Sequence, residues 1–324
     1  MLEPEGPVAR QLDRLWDPVF AVATVVFVLV HLLLLVVIVK FRRRDDDEAP
    51  VQTHGNAKAE LAWTIAPALT LAIIGFLTIG TIFDINERPA GADVEQVKVI
   101  GHQWWWEYQY GEHDIVTANE LVIPVGTPVD LELTAADVIH SFWPPKLAGK
   151  VDTIPGRTNR MTVQADRPGM YWGQCAEYCG ESHGWMRLRV RALSAADYEK
   201  WVEDQQKEQQ ELLEATEAPP AAKEGVGLTD EEIAANGYAL FMGTGGCAGC
   251  HTIQGTPAAG KIGPNLTHLY SRSTFAGSIF DLNEENLRKW LRDPQAEKPG
   301  NKMVIRNLSE DEITQLIAYL ETLK

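Results

Sequence analysis

The sequence predicts a multidomain membrane protein with three parts: a two-helix transmembrane hairpin, an all-β domain and an all-α domain. Three observations support this fold class. Two long apolar stretches lie near the amino terminus, short β-rich segments punctuated by Gly and Pro follow, and the carboxy-terminal part has apolar residues at helical spacing. A chain of 324 residues is long enough for two or three domains.

Residues 1–90 are predicted to form an amino-terminal tail and the hairpin. Residues 19–39 and 61–83 are almost uninterrupted apolar stretches, each long enough to cross a bilayer as a helix. The basic run at 40–44 lies between them, and positive charges at the end of a span favour the cytoplasmic side. The rest of the chain is therefore expected outside the cytoplasm. Residues 1–17 lack the pattern of a cleavable signal peptide.

Residues 91–195 are predicted to form the β domain, an antiparallel sandwich or barrel. Segments 97–100, 120–124 and 129–134 are typical of short strands bounded by turns. A rigid scaffold of this kind holds residues that are distant in sequence together in its end loops. Residues 196–227, rich in Glu, Gln, Lys and Ala and then in Pro, are predicted to be a linker that is helical in its first half.

One segment of the β domain has the composition of a metal site. Cys175, Cys179, His183 and Met186 follow one another within twelve residues, and His140 is a candidate for a second imidazole. Thiolates, imidazoles and a thioether form a soft ligand set that favours copper. Zinc bound by the cysteines and histidines and a disulfide between the two cysteines are the alternatives, but neither gives the methionine a use.

Residues 228–324 are predicted to be the all-α domain. Two capping boxes, 229–232 and 309–312, each precede apolar residues at helical spacing, which predicts a helix near each end of the domain.

The all-α domain carries a second cysteine pair. Cys247, Cys250 and His251 have the spacing for covalent attachment of haem c, in which both thiols bind the haem and the histidine becomes an iron ligand. A thioredoxin-like dithiol is disfavoured because the required strand context is missing. Met303 is the predicted distal ligand, and His268 is its rival.

These motifs together resemble cytochrome c oxidase subunit II with a fused class I cytochrome c domain. The resemblance implies a cupredoxin Greek-key fold for the β domain and a binuclear copper A centre, in which two thiolates bridge two coppers. The backbone carbonyl of Glu177 joins the ligands by resemblance, and its carboxylate is expected at a magnesium site shared with the catalytic subunit. The implied copper ligands are His140, Cys175, Glu177, Cys179, His183 and Met186.

Three further roles follow from the same resemblance. Residues 101–106 match the family pattern Gly-His-Gln-Trp-x-Trp, and this implies that Trp104 is the surface point at which electrons pass towards the copper pair. Glu60 occupies the position of a glutamate at the mouth of a proton channel in the catalytic subunit. The Pro264 carbonyl is expected to orient the His251 imidazole.

The resemblance implies a respiratory function. The chain would be subunit II of a haem-copper cytochrome c oxidase in a bacterial plasma membrane, passing electrons from a donor through its haem c and copper A to subunit I, where oxygen is reduced. The expected donor is an upstream cytochrome or a quinol:cytochrome c reductase. A formal net charge of −16 argues against nucleic acid and suits basic soluble partners. The copper A subunit of a nitric oxide reductase, a stand-alone membrane-anchored electron carrier and a copper chaperone remain alternatives.

Overall fold

The structure, a computed structural model, describes most of the chain: residues 3–42, 52, 54–87, 94–214 and 227–324. The chain divides into two compact units. One unit contains residues 10–87, and the other contains residues 2–9 and 88–324.

The first unit contains most of α1 (Pro7–Lys40) and all of α2 (Ala57–Asn86). Both helices are long and apolar enough to cross a membrane, as predicted. α1 begins well before the predicted span, since proline is favoured in the first turn of a helix and the polar residues after it continue the helix. Residues 43–51 and 53 of the intervening loop lie outside the described residues.

Glu60 lies in the first turn of α2, where it helps to begin the helix. The Asn56 side chain accepts a hydrogen bond from the Ala59 N–H at 3.2 Å, and Glu60 Oε1 accepts one from the Asn56 N–H at 3.2 Å. This reciprocal pair satisfies two backbone donors that the helix itself leaves unpaired.

The β domain is a sandwich of two five-stranded sheets. Its strands are β1 (Glu95–His102), β2 (Trp105–Tyr110), β3 (Ile115–Ala118), β4 (Glu120–Pro124), β5 (Val129–Ala135), β6 (His140–Trp143), β7 (Val151–Thr153), β8 (Asn159–Val163), β9 (Gly169–Cys175) and β10 (Arg187–Leu193). The sheet orders are β3-β2-β1-β5-β8 and β4-β10-β9-β6-β7. Apolar side chains from both sheets fill the space between them, including the fully buried Trp106, Leu131 and Phe142.

The sandwich confirms the predicted scaffold, but the antiparallel prediction is wrong for two strand pairs. β1 pairs with β5 and β10 pairs with β4 in parallel. These partners are separated along the chain by other strands, so no tight hairpin forces them to run in opposite directions.

The helix α3 (Ala195–Glu214) follows the last strand of the sandwich. Its first turns bury Tyr198, Trp201 and Val202 in the core of the β domain, and the Trp201 ring lies 5.2 Å from that of Tyr110. The helix in the first half of the predicted linker is therefore present, but its start belongs to the packed domain. Residues 215–226 lie outside the described part of the chain.

The carboxy-terminal domain, residues 227–324, is mainly helical. Its helices are α4 (Asp230–Met242), α5 (Glu284–Arg292), α6 (Pro294–Glu297) and α7 (Glu310–Leu320), with a small ribbon of β11 (Thr274–Phe275) and β12 (Phe280–Asp281). Both predicted capping boxes are confirmed, at Thr229 with Glu232 and at Ser309 with Glu312. α4 packs closely on α7 at Gly237, where a Cβ would collide with the Gln315 carbonyl.

Two segments of the carboxy-terminal domain, 271–278 and 298–302, contact the β domain. Both domains lie within the second compact unit. The bonds between them join Ser273 to Glu120, Arg187 to Gly277, Ser278 to Asn119, Ser182 to Pro299, Lys298 to Trp104 and Lys302 to Asp137.

Candidate metal centre and cofactor cavity

The sandwich brings the predicted copper ligands together at the ends of three neighbouring strands. Cys175 is the last residue of β9, His140 is the first residue of β6, and Met186 comes directly before β10. These strands are neighbours in the order β10-β9-β6. The Cys175 N–H donates to the Met186 carbonyl at 2.9 Å, which closes the loop between β9 and β10. Strand pairing therefore unites ligands that are far apart in sequence.

The sulphur and nitrogen atoms of the loop lie within a few ångströms of one another. Cys179 Sγ is 3.8 Å from Cys175 Sγ, 3.5 Å from His183 Nδ1 and 3.9 Å from Met186 Sδ. Cys175 Sγ lies 3.2 Å from the Glu177 carbonyl oxygen. Both cysteines are free, and their separation is far greater than a disulfide bond. A ring nitrogen of His140 lies within 4.8 Å of both sulphurs.

The environment of His140 fits a metal ligand. Its ring is completely buried, and Nε2 lies 2.9 Å from Asp137 Oδ1. Nδ1 is also buried and has no hydrogen-bond partner among the described residues. An unpaired buried nitrogen is costly, and a metal ion beside Cys175 and Cys179 would satisfy it. Carboxylate contact at the other ring nitrogen is typical of metal-bound histidine.

The contact between the two thiols shifts their pKa values in opposite directions. Contact with Cys179 lowers the pKa of the Cys175 thiol, although burial alone would raise it. The same contact raises the pKa of Cys179, and burial adds to that rise. Metal binding requires both sulphurs as thiolates, and a metal ion beside them would favour that form for both.

Sequence reasoning missed two residues that position His140. Burial alone would raise the pKa of Asp137, but hydrogen bonds from His140 and from the Gln103 and Val138 N–H groups hold it far below its ordinary value. The carboxylate therefore stays charged beside the ring. Gly101 leaves room for that ring, because a Cβ there would lie 2.7 Å from His140 Cδ2. The Asp-x-x-His spacing was the available signal for Asp137. Gly101 is the first residue of the matched family pattern, but nothing in that pattern pointed to a contact with His140.

A cavity of about 310 Å³ lies in the carboxy-terminal domain where a haem is expected, and residues 103–105 and 119 of the β domain complete its lining. Cys247, Cys250, His251 and Met303 all line it, together with many apolar side chains. His251 Nδ1 lies 2.8 Å from the Pro264 carbonyl, the predicted orienting contact. This hydrogen bond leaves the other ring nitrogen available as an iron ligand. The donor set and the apolar walls fit a haem.

The structure favours Met303 over His268 as the distal ligand. Met303 lines the cavity, and its sulphur accepts a hydrogen bond from Trp290 Nε1 at 3.1 Å. His268 is buried outside the cavity lining, with Nδ1 3.1 Å from the Lys324 carbonyl.

The expected surface position of Trp104 is wrong for this chain, while its role in electron entry stays a prediction. Its side chain is 7 % exposed because the carboxy-terminal domain covers it. A Cβ at Gly300 would lie 3.2 Å from the ring, and Lys298 donates to the Trp104 carbonyl. On the other side, Trp104 Nε1 donates to the Cys179 carbonyl at 3.1 Å. Trp104 thus lies between the cavity, which it helps to line, and residues 175–186, which we call the copper loop.

Comparison with known proteins gives consistent matches along the chain. Residues 3–80 match the transmembrane domain of cytochrome c oxidase subunit II, residues 111–193 match its periplasmic domain, and residues 234–324 match cytochrome c. Cytochrome c oxidase subunit 2 of Alkalihalophilus pseudofirmus is 38 % identical over 329 residues, covering 100 % of this chain and 90 % of the relative.

Two further matches belong to the same family. Cytochrome c oxidase subunit 2 of Bacillus sp. strain PS3 is 35 % identical over 292 residues, covering 85 % of this chain and 77 % of the relative. The crystal structure of the periplasmic domain of cytochrome oxidase subunit II from Bradyrhizobium japonicum is 32 % identical, with a TM-score of 0.35, covering 37 % of this chain and 96 % of that one. The chain belongs to the cytochrome c oxidase subunit II family, in the form that carries a cytochrome c domain.

Proposed function

We propose that this chain is the electron-accepting subunit of a bacterial haem-copper cytochrome c oxidase. It passes electrons from an external donor through its own haem c and a binuclear copper A centre to a catalytic subunit, where oxygen is reduced to water. The observation that carries this proposal is the convergence of Cys175, Cys179, His183, Met186 and His140 at one end of the sandwich.

Six residues would hold the copper pair. A copper pair held by these residues would accept and release single electrons, and a rigid ligand set would keep the accompanying structural change small. The chain contributes rigidity, since the paired strands β6, β9 and β10 hold His140, Cys175 and Met186 at neighbouring strand ends. Asp137 fixes the His140 ring. The ligands are His140, Cys175, the Glu177 carbonyl, Cys179, His183 and Met186.

Four residues would hold the haem. Cys247 and Cys250 form the thioether bonds, while His251 and Met303 ligate the iron. Thioether ligation raises the haem potential into the range suited to reducing copper. Trp104 completes the connection, since it reaches from the cavity wall to the Cys179 carbonyl.

The remaining roles concern the surrounding membrane complex. The hairpin anchors the chain in the plasma membrane, with both metal domains on the extracytoplasmic side. Glu60 contributes to the opening of a proton channel in subunit I, and the exposed Glu177 carboxylate faces a magnesium ion shared with that subunit. The donor is an upstream cytochrome or a quinol:cytochrome c reductase.

The proposal is tested by Cys179→Ser in the purified complex. We expect the mixed-valence copper signal in electron paramagnetic resonance to disappear while the haem spectrum stays intact. Elemental analysis of the separated wild-type chain should give two coppers for each iron that this chain binds. An unchanged copper signal in the variant, or zinc in place of copper in the wild type, contradicts the copper assignment.

The terminal reaction is tested by gas consumption. The purified complex should contain a large haem-bearing subunit and consume oxygen. Consumption of nitric oxide instead, or purification of the chain alone, contradicts the oxidase assignment.

A further inference from the structure

The walls of the haem cavity have an unusual charge balance. Of the residues that the structure describes, four cationic side chains and no carboxylate line the cavity, although the whole chain has a formal net charge of −16. The four cations are Arg272, Lys298, Lys302 and Arg306.

Only two of these cations have an anionic partner in an ion pair. Lys302 pairs with Asp137 at 3.0 Å, and Arg306 pairs with Glu312 at 2.5 Å. Lys298 and Arg272 are 3 % and 7 % exposed, and neither forms an ion pair with a carboxylate of the described residues. Two buried cationic side chains therefore face the cavity without an ion-pair partner among the described residues.

Lys298 is the more informative of the two buried cations because it lies at the boundary between the domains. Its ammonium donates to the Trp104 carbonyl at 2.6 Å and to the Ala276 carbonyl at 2.8 Å. Both acceptors are neutral, and an ammonium has three N–H groups. Among the described residues, the third N–H of the ammonium has no acceptor and the ammonium has no ion-pair partner.

Such an arrangement is unfavourable unless an anion joins it. A buried charge without a counter-ion costs several kcal/mol, of the order measured when one partner of a buried ion pair is removed. Burial accordingly lowers the pKa of Lys298 to about 7. A carboxylate in the cavity would stabilise the charged form.

We propose that Lys298 binds a carboxylate of the haem and joins it to the Trp104 backbone. This inference rests on the proposed attachment of haem c to Cys247 and Cys250. Haem carries two propionate carboxylates, and the cavity offers two buried cations. Because Trp104 Nε1 donates to the Cys179 carbonyl, the contact links the haem edge to the copper loop across the domain boundary.

The test is Lys298→Met, with Lys289→Met as the matched control. Lys289 is a half-exposed lysine of the same domain, paired with Glu285 outside the cavity lining. Without the ammonium, the propionate charge is uncompensated and stabilises the ferric haem. We expect the haem midpoint potential of Lys298→Met to fall by about 59 mV, a tenfold shift of the one-electron equilibrium towards the oxidised form. Lys298→Arg, which keeps a positive charge, should leave the haem midpoint potential close to the wild-type value.

A second measurement identifies the carboxylate directly. In redox difference infrared spectra of protein carrying haem with ¹³C-labelled propionates, Lys298→Met should shift the labelled carboxylate band, whereas Lys289→Met should not. With haem attached, an unchanged band and a potential no lower than that of Lys289→Met would overturn the assignment. Failure of the proposed function gives a different result, because the wild-type protein would then carry no covalent haem.

Discussion

The copper loop and the haem cavity differ in how they place their predicted metal ligands. In the copper loop the predicted ligand atoms lie close to one another, and the sulphurs of Cys175 and Cys179 are 3.8 Å apart. In the carboxy-terminal domain the predicted haem ligands line a cavity of about 310 Å³. A small metal cluster can be held by side chains that rigid strands preorganise, whereas a haem replaces part of the core. Folding of the carboxy-terminal domain should therefore depend strongly on haem attachment, and folding of the β domain only weakly on copper binding.

The largest expected effect sharpens this contrast. In Cys247→Ala/Cys250→Ala the haem is not attached, and the cavity of about 310 Å³ loses the packing that a haem would supply to its apolar walls. We expect a loss on the order of a few kcal/mol, a large part of the stability of a small domain, about 5 to 15 kcal/mol. We expect rapid proteolysis of residues 227–324 with the copper signal retained. A protease-resistant carboxy-terminal domain in this variant would contradict the expected dependence of its folding on haem attachment.

A methionine substitution tests the ligation of the haem. Met303→Ala should lower the haem potential by roughly 0.1 to 0.3 V, part of the about 0.8 V range that axial ligands span. Redox titration followed by the visible spectrum measures this fall. The control is Met242→Ala, a methionine of the same domain outside the cavity lining. Equal effects of the two substitutions would argue against Met303 as a ligand.

Gly101→Ala is the corresponding test of the copper loop. The new Cβ would lie 2.7 Å from His140 Cδ2 and 3.0 Å from Thr153 Oγ1, so the ring must move. Disturbed support of a ligand typically lowers metal affinity about 10- to 100-fold. Copper retention against a competing chelator measures the loss, and the haem spectrum should not change. Gly111→Ala is the control, since a Cβ there meets nothing within 4 Å; equal copper retention in both variants would contradict the prediction.

The contact between the domains should have a smaller effect. Lys302 is 51 % exposed, so its ion pair with Asp137 contributes at most about 1 kcal/mol. Lys302→Met should slow reduction of copper by the haem by about two- to fivefold at low salt, and flash photolysis measures this rate. The difference should shrink at high salt because the pair is screened. A difference independent of salt would mean that Lys302 acts by packing.

The smallest expected effect is a pH dependence in the carboxy-terminal domain. The Arg306 side chain and the Ser309 N–H lower the pKa of Glu312 from 4.5 to about 2. Its contribution is therefore present above about pH 4.5 and is lost as the pH falls through about 2. Solvent screening limits it, so Glu312→Gln should lose about 0.5 to 1 kcal/mol at pH 7. Denaturant unfolding at several pH values measures the loss, which should fade on acidification; a constant difference would contradict the assignment.

Local sequence information was sufficient for much of the molecule. The spans follow from apolar length, the helix starts at Thr229 and Ser309 from capping boxes, and the copper loop from ligands close together in sequence. His140 could also be predicted from the resemblance, because the family pattern contains the strand geometry that brings it to the loop.

Features that depend on long-range packing could not be predicted. The polar α3 looked like a tether, yet three buried side chains dock its start on the sandwich. The parallel pairs β1–β5 and β4–β10 leave no local signal. Trp104 and Lys298 meet because the carboxy-terminal domain contacts the β domain, and no spacing within the chain encodes that contact.

The burial of Trp104 has a consequence for competition among electron carriers. A soluble carrier that approached the copper centre through Trp104 would first have to displace the carboxy-terminal domain. That domain belongs to the same chain, so its effective concentration at Trp104 is of the order of millimolar. Free carriers should therefore transfer their electrons at the exposed surface of the carboxy-terminal domain. We expect the surface of that domain, rather than the surface of the sandwich, to determine which donors can bind.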